Sequence, residues 1–457
     1  MDINKNENYD IRITGINHEG QGVGRIGDFV VFVNNALPDE LVNARIIKKT
    51  SSYAIGKVNE IKELSEKRTV PLCSAFGKCG GCTLQHLNYK AQLEVKTDLV
   101  MQNMKRIGGF EDLTVHPTIG MENPFNYRNK AQFPVGMTPN GHAIGFYAPR
   151  SHNIIETENC EIQDEMGNKV KKIVSSYIKK YNVSIYDEQK HKGLIRHIMS
   201  RTGFKTGEVM VVLVINGTEI PHKNELVSML TKEMPEIKSI MLNVNTKKGN
   251  VILGDKNICI YGKDTITDYI GKFKFEISPL SFFQVNPVQT EVLYAKALEY
   301  ANLTGNETVF DLYCGIGTIS LFLSQKAKKV IGVEVVEAAV EDARRNAMLN
   351  GVENVEFHAG ETEKVIPEMY SRGIRADVVV VDPPRKGCDE KLLDTLVRMK
   401  PERIVYVSCK PATLARDLRY LADRGYAPVD VQPVDMFPMT THIETVCLLS
   451  SKIKGFG

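Results

Sequence analysis

Three groups of residues in this 457-residue chain have the types and spacing for chemistry. The first centres on Cys409 in YVSCKPATLARDL (406–418), where an apolar run stops at a thiol and a helical pattern begins with Pro411 in its first turn. A thiol at the ligand end of a sheet can act as a nucleophile. A helix N-terminus favours negative charge, so the Cys409 pKa is expected to fall, with Lys410 adding to the effect. Considered alone, the motif also reads as a small buried residue at a strand end. Glu444, in HIETVCLLSS, is an acid among small and apolar neighbours at the turn end of the last strand. It is placed to reach the same pocket as a general base.

The second group is a series of acids that follow apolar runs. DLYCGIGTIS (311–320) ends a strand at Tyr313 and then supplies Gly315 and Gly317, which let the backbone approach a ligand. The dinucleotide spacing lacks its third glycine, so a nicotinamide cofactor is disfavoured. Glu334 ends the next run, where an acid can bind both ribose hydroxyls of an adenosine. Glu361 in AGETE and Asp382 in VVVVDPPRKG follow two further runs. A single such acid is often a helix cap; three beside one glycine loop are harder to dismiss. The third group is Cys73, Cys79 and Cys82, spaced C-x5-C-x2-C, with Cys160 the nearest fourth ligand. Four thiolates suit either tetrahedral zinc or an iron–sulfur cluster. Nine cysteines without an export signal argue for metal or catalytic use rather than disulfides.

These residues need elements to hold them. Residues 9–62 alternate like short strands separated by turns and read as a small β-barrel. The G-x-G-x-x-G inside it, Gly22 to Gly27, precedes a strand rather than a helix and is read as a hairpin turn. A helix is expected over about 85–104. Residues 63–275 look α+β, with strand-like runs that include VILGD (251–255). Two cation clusters, Arg128 with Lys130 and Arg196 with Arg201, are read as an exposed face suited to phosphate contact beside aromatic residues. From 276 to 457 the pattern alternates strand and helix, as in a doubly wound parallel sheet, and closes with an antiparallel hairpin.

The net charge is +3, so a nucleic-acid site must be a local patch. The polar start MDINKNENYD and the lack of a bilayer-length apolar run point to a cytoplasmic protein with no membrane partner.

The glycine loop and strand-end acid resemble the Rossmann-like S-adenosylmethionine-dependent methyltransferases. More specifically, FFQVNPVQTEVLY (282–294), DLYCGIGTISL, VVVDPPRKG, YVSCKPATLARDL and HIETV resemble the RNA uracil-5-methyltransferases, above all the bacterial 23S rRNA members. The resemblance spans essentially the whole chain. It implies three units: a TRAM/OB-like barrel (1–62), a central α+β RNA-binding domain with a [4Fe–4S] site (63–275), and a methyltransferase domain (276–457). It implies Cys409 as nucleophile and Glu444 as base. Gln284, Tyr313, Gly315, Glu334, Glu361 and Asp382 would contact S-adenosylmethionine, and Cys73, Cys79, Cys82 and Cys160 would hold the cluster. Arg128, Lys130, Arg196 and Arg201 would meet 23S rRNA, and no obligate protein partner is implied. The barrel and cysteine set favour rRNA-directed members, since tRNA-directed relatives are expected to lack both. Two competing readings are a cytosine-5 methyltransferase, whose Pro-Cys motif is missing because Ser408 precedes Cys409, and a non-catalytic RNA-binding iron–sulfur protein.

Overall fold

The structure is a computed structural model that describes residues 3–139 and 141–451. The chain begins with β1 (Asn8–Ile16), β2 (Gly22–Ile26), β3 (Phe29–Asn34), β4 (Leu41–Lys49) and β5 (Tyr53–Glu63), closed into a barrel in the order β1-β2-β3-β5-β4. Alternate residues such as Ile11, Ile13, Val31, Val33, Val42 and Ala44 fill it, as the two-residue strand period requires. The glycine-rich stretch is β2 and its turn. At Gly24 a Cβ would lie 2.3 Å from Ile11 Cγ2, so that glycine serves barrel packing.

Helix α1 (Tyr89–Arg106) starts four residues later than expected. Residues 84–87 turn instead, through the Leu87 N–H donating to Leu84 O, and Asn88 caps the helix by accepting from Ala91 N. Val100 and Met104 of α1 join the core of the C-terminal sheet.

The central elements are β6 (Lys130–Thr138), β7 (Gly141–Tyr147), β8 (Ile154–Glu156), α2 (Glu165–Tyr181), β9 (Ile195–Thr202), β10 (Val209–Ile215), α3 (Lys223–Glu233), β11 (Ile237–Val244) and β12 (Lys256–Gly262). Their strands form one sheet in the order β12-β11-β10-β9-β6-β7-β8. The run 251–255 is not a strand; the side-chain amide of Asn245 takes the carbonyls of Val251 and Ile252 instead. Ile195 and Ile198 of β9 pack with α2 and α3, while Met199 packs into the core shared with the C-terminal half. Every residue of β9 is therefore buried. The hairpin β13 (Ile266–Ile270) and β14 (Phe273–Ile277) straddles the expected boundary at 275 and shares that second core as well.

The last part holds α4 (Pro287–Ala301), β15 (Thr308–Leu312), α5 (Thr318–Ser324), β16 (Lys329–Glu334), α6 (Glu337–Leu349), β17 (Val355–Ala359) and α7 (Thr362–Ser371). It continues with β18 (Val378–Val381), α8 (Glu390–Met399), β19 (Arg403–Ser408), α9 (Pro411–Ala422), β20 (Tyr426–Val434) and β21 (Glu444–Ser451). The sheet order is β17-β16-β15-β18-β19-β21-β20, with β15 to β19 parallel and β21 antiparallel. Val378 and Val380 enter the core on one face, Val379 and Val381 the core on the other. Each such valine favours folding by about 1.5–3 kcal/mol, which is why a strand buried on both faces tolerates no polar interruption until its end. Among the described residues no helix is long and apolar enough to cross a membrane.

Candidate active site

Sheet register sets the site. Leu312 is level with Val333 on one side and Val381 on the other, so Tyr313, Glu334 and Asp382 stand side by side at the carboxyl edge. Ser408 of β19 pairs with Thr445 of β21, which sets Cys409 and Glu444 opposite one another one step further on. The order reverses between β15 and β18, the switch point at which open α/β sheets bind ligands. A cavity of about 1620 Å³ opens there, and Gln284, Tyr313, Gly315, Glu334, Asp382, Cys409 and Glu444 all line it.

The glycine loop is held in shape by its neighbours. Tyr313 has φ +67°, a left-handed conformation that costs a non-glycine residue about 1–2 kcal/mol. The N–H groups of Tyr313 and Cys314 both donate to Val333 O (2.9 and 3.1 Å), and the Tyr313 hydroxyl donates to Glu363 (2.8 Å). Glu334 accepts from the N–H of Gly315 (3.1 Å) and of Val336 (2.9 Å), so its carboxylate is fixed at the cavity wall. Gly315 has φ +56°, and the space its missing Cβ would take is empty, which leaves a cradle against bare backbone. Glu361 also lines the cavity, at the start of α7, and pairs with Lys364 at 2.9 Å. Gln284 is buried, with its carbonyl accepting from the Asn129 side chain.

The thiol differs from expectation. Burial pushes Cys409 up to about 11, and the charges of Glu444 and Asp382 push the same way. The helix start and Arg385 oppose this without overcoming it. Burial of the sulfur, with two carboxylates beside it, outweighs the start of one helix. Burial and Asp382 likewise hold the Glu444 carboxyl well above the usual range, and burial raises Asp382 to about 7. The site therefore pairs a thiol with high-pKa acids beside one cation, Arg385. Arg385 sits in DPPRKG, where residue type alone assigns it no role. The same holds for Asp311, buried beneath the loop, raised to about 7 by burial and accepting from Ser320 Oγ. No residue pattern flags either one; only the assembled sheet places them.

The four cysteines line the same cavity, toward the central sheet. Burial, with other sulfurs of the set adding to it, raises Cys82 to about 12 and Cys160 to about 11. N–H groups face the sulfurs: Gly81 N donates to Cys79 and the Gln85 side chain to Cys82, each at 3.3 Å. All four are free thiols. Among the described residues no group of three or more His, Cys, Asp or Glu side chains is placed to hold a metal ion.

The two cation clusters separate. Arg128 and Lys130 line the cavity, and burial with the charges of Arg201 and Arg128 pulls Lys130 down to about 8. Arg196 and Arg201 do not form the exposed RNA face expected of them. They lie in β9 at 4% and 5% exposure. Arg196 donates to the carbonyls of Asn245 (2.7 Å) and Lys247 (2.8 Å), and Arg201 to those of Pro279 (3.4 Å) and Ser281 (2.5 Å). The alternation was real, but both faces of β9 are covered, so its cations spend their donors on backbone. Arg201 thereby anchors the loop that carries Gln284.

Residues 88–452 match the family model described as tRNA (Uracil-5-)-methyltransferase. The chain belongs to that family. Residues 4–58 match the TRAM domain, which accounts for the barrel. Family members with similar sequences include proteins named as uncharacterized RNA methyltransferases. That of Clostridium tetani is 55% identical over 448 residues, 98% of this chain and 97% of the relative. That of Halalkalibacterium halodurans is 53% identical over 450 residues, 98% of each. Among solved structures, the tRNA (uracil-54, C5)-methyltransferase of Pyrococcus abyssi, in complex with S-adenosyl-L-homocysteine, matches with a TM-score of 0.77 and 28% identity. It covers 96% of this chain and 100% of its own. So complete a match leaves too few residues unmatched to omit the barrel. The barrel therefore does not separate rRNA-directed from tRNA-directed members, contrary to the expectation above.

Proposed function

We propose that this protein methylates C5 of uridine in RNA through a covalent adduct between Cys409 and C6 of the base. The observation that supports this most is the placement of Cys409 opposite Glu444 in the cavity that also holds the glycine cradle and the Glu334 carboxylate. The cradle and the strand-end acids fit S-adenosylmethionine, with Glu334 at the ribose, Asp382 and Gln284 along the wall and Tyr313 shaping the loop. Bound there, that cofactor supplies the methyl group that C5 takes.

The chain's own residues do the rest. Uracil C5 is a poor carbon nucleophile until a thiolate adds at C6 and turns the ring into an enolate. Cys409, its proton given up to solvent, forms that S–C6 bond as the C5–C6 electron pair moves toward the C4 oxygen. After C5 is methylated, Glu444 removes the C5 proton; the electron pair left at C5 forms the C5–C6 double bond as the S–C6 bond breaks, and Cys409 leaves as thiolate. Once ionised, a carboxylate whose pKa is raised is the stronger base for this proton. The target base must leave its stack to reach a cavity this deep. Arg128 and Lys130 at the cavity wall supply phosphate contacts.

We propose further that the four cysteines hold a [4Fe–4S] cluster. Four free thiols on one cavity wall, with N–H groups donating to two of the sulfurs, support that reading. Methyl transfer has no redox step, so the cluster's role here is structural. Brown protein containing iron and sulfide is the expected result; colourless zinc-bearing protein contradicts it.

The resemblance favours 23S rRNA as substrate. The full-length likeness to the Pyrococcus abyssi tRNA enzyme supports a second reading, tRNA. Mapping 5-methyluridine in both RNAs from cells with and without this gene decides between them. A change confined to 5-methylcytosine would overturn both.

A further inference from the structure

Lys96 is fully buried on α1, a position where a lone ammonium is strongly disfavoured. It donates to Asp435 Oδ1 (2.5 Å), also fully buried, and to Phe437 O (3.0 Å). The other Asp435 oxygen accepts from the Tyr89 hydroxyl (2.9 Å), which in turn accepts from Met121 N. Gln92 stands between them in sequence; its side-chain oxygen accepts from Met439 N (3.1 Å), and its amide donates to Leu84 O and Leu87 O. Tyr89, Gln92 and Lys96 form one stripe at helical spacing, and its targets are Asp435, Phe437 and Met439. Those targets lie on the loop between β20 and β21, which brings Phe437, Thr440, His442 and then Glu444 to the cavity. On its other side the loop is held by the N–H groups of Thr83 and Leu84, both donating to Met439 O at 3.0 Å. Met439 sits at φ +68°, so the loop has a specific shape that these bonds enforce.

We propose that the Tyr89–Gln92–Lys96 stripe is a positioning device for Glu444, with Lys96 and Asp435 as its central pair. A buried ion pair is weak support for stability; in some proteins such a pair instead serves to select one geometry. Here the geometry selected is that of the strap ending at the base. This rests on the reading of Glu444 as the base, so Glu444→Gln is run beside it.

The test uses full-length Lys96→Met with RNA from cells lacking this gene and S-adenosylmethionine. A mispositioned base slows proton removal after the adduct has formed. The expected result is kcat lower by about tenfold or more, a cofactor KM within about twofold, and a protein–RNA adduct that survives denaturant. Hydrogen exchange should quicken at the Phe437 and Met439 amides. A folded variant with normal turnover, or with slow turnover and no adduct while Glu444→Gln traps one, overturns the proposal. Prompt product release by Glu444→Gln instead overturns the base assignment, and the positioning role with it. If Lys96→Met fails to fold, Tyr89→Phe, which removes one hydroxyl, carries the same readouts: adduct build-up supports the proposal, and wild-type turnover without adduct refutes it.

Discussion

The C-terminal sheet edge and the central strand β9 both place polar residues next to long apolar runs, and the two fates are opposite. At the sheet edge, Tyr313, Asp382 and Cys409 stand one step past the last paired residues, Glu334 is the last residue of β16, and all four face a cavity. In β9, Arg196 and Arg201 stand inside the sheet and donate to backbone carbonyls, with Arg196 also lying over the Tyr186 ring. A polar residue at the end of a doubly buried strand is free for ligand chemistry. The same residue within such a strand is consumed by the fold.

The largest effect that sharpens this contrast is expected at Cys409. Cys409→Ala should lower methylation by more than about 10³-fold while calorimetry shows unchanged S-adenosylmethionine binding. Lost binding would make the residue structural and erase the contrast. Next is Arg201→Met. It leaves the Pro279 and Ser281 carbonyls unpaired, and should cost about 2–4 kcal/mol in denaturant unfolding with no change in the salt dependence of RNA binding. A stable variant with a shallower salt slope would return Arg201 to the RNA face.

The edge was legible because its signals are local: a glycine pair, an acid after each run and a thiol before a helix can be found along the chain. The central sheet was not, because alternation in GLIRHIMSR reports two faces without saying what covers them. The fall expected in the Cys409 pKa failed for a related reason. A helix start is visible in sequence, but the burial of the sulfur and the proximity of Glu444 and Asp382 depend on how β18, β19 and β21 align. The grip of α1 on the 435–439 loop was also hidden, since partners such as Lys96 and Asp435 lie hundreds of residues apart.

Two smaller effects test the electrostatics. With the thiol pushed up to about 11, alkylation of Cys409 should keep rising with pH beyond pH 9. Removing a like charge with Asp382→Asn should speed it by up to about tenfold at pH 8, and Arg385→Met should slow it. Equal rates in all three proteins would mean that the carboxylates do not govern the sulfur. Smallest of all, Arg128→Ala or Lys130→Ala should leave melting unchanged, weaken RNA binding severalfold and reduce its salt slope by about 1 each. Lower stability with an unchanged slope would place them with Arg196 and Arg201.

The most direct test of the account is the state of Cys409 in Glu444→Gln after incubation with substrate RNA and S-adenosylmethionine. Proteolysis and mass spectrometry should find the peptide around Cys409 bonded to a methylated uridine nucleotide. An unmodified Cys409 peptide, with free methylated RNA released at the wild-type rate, would contradict it.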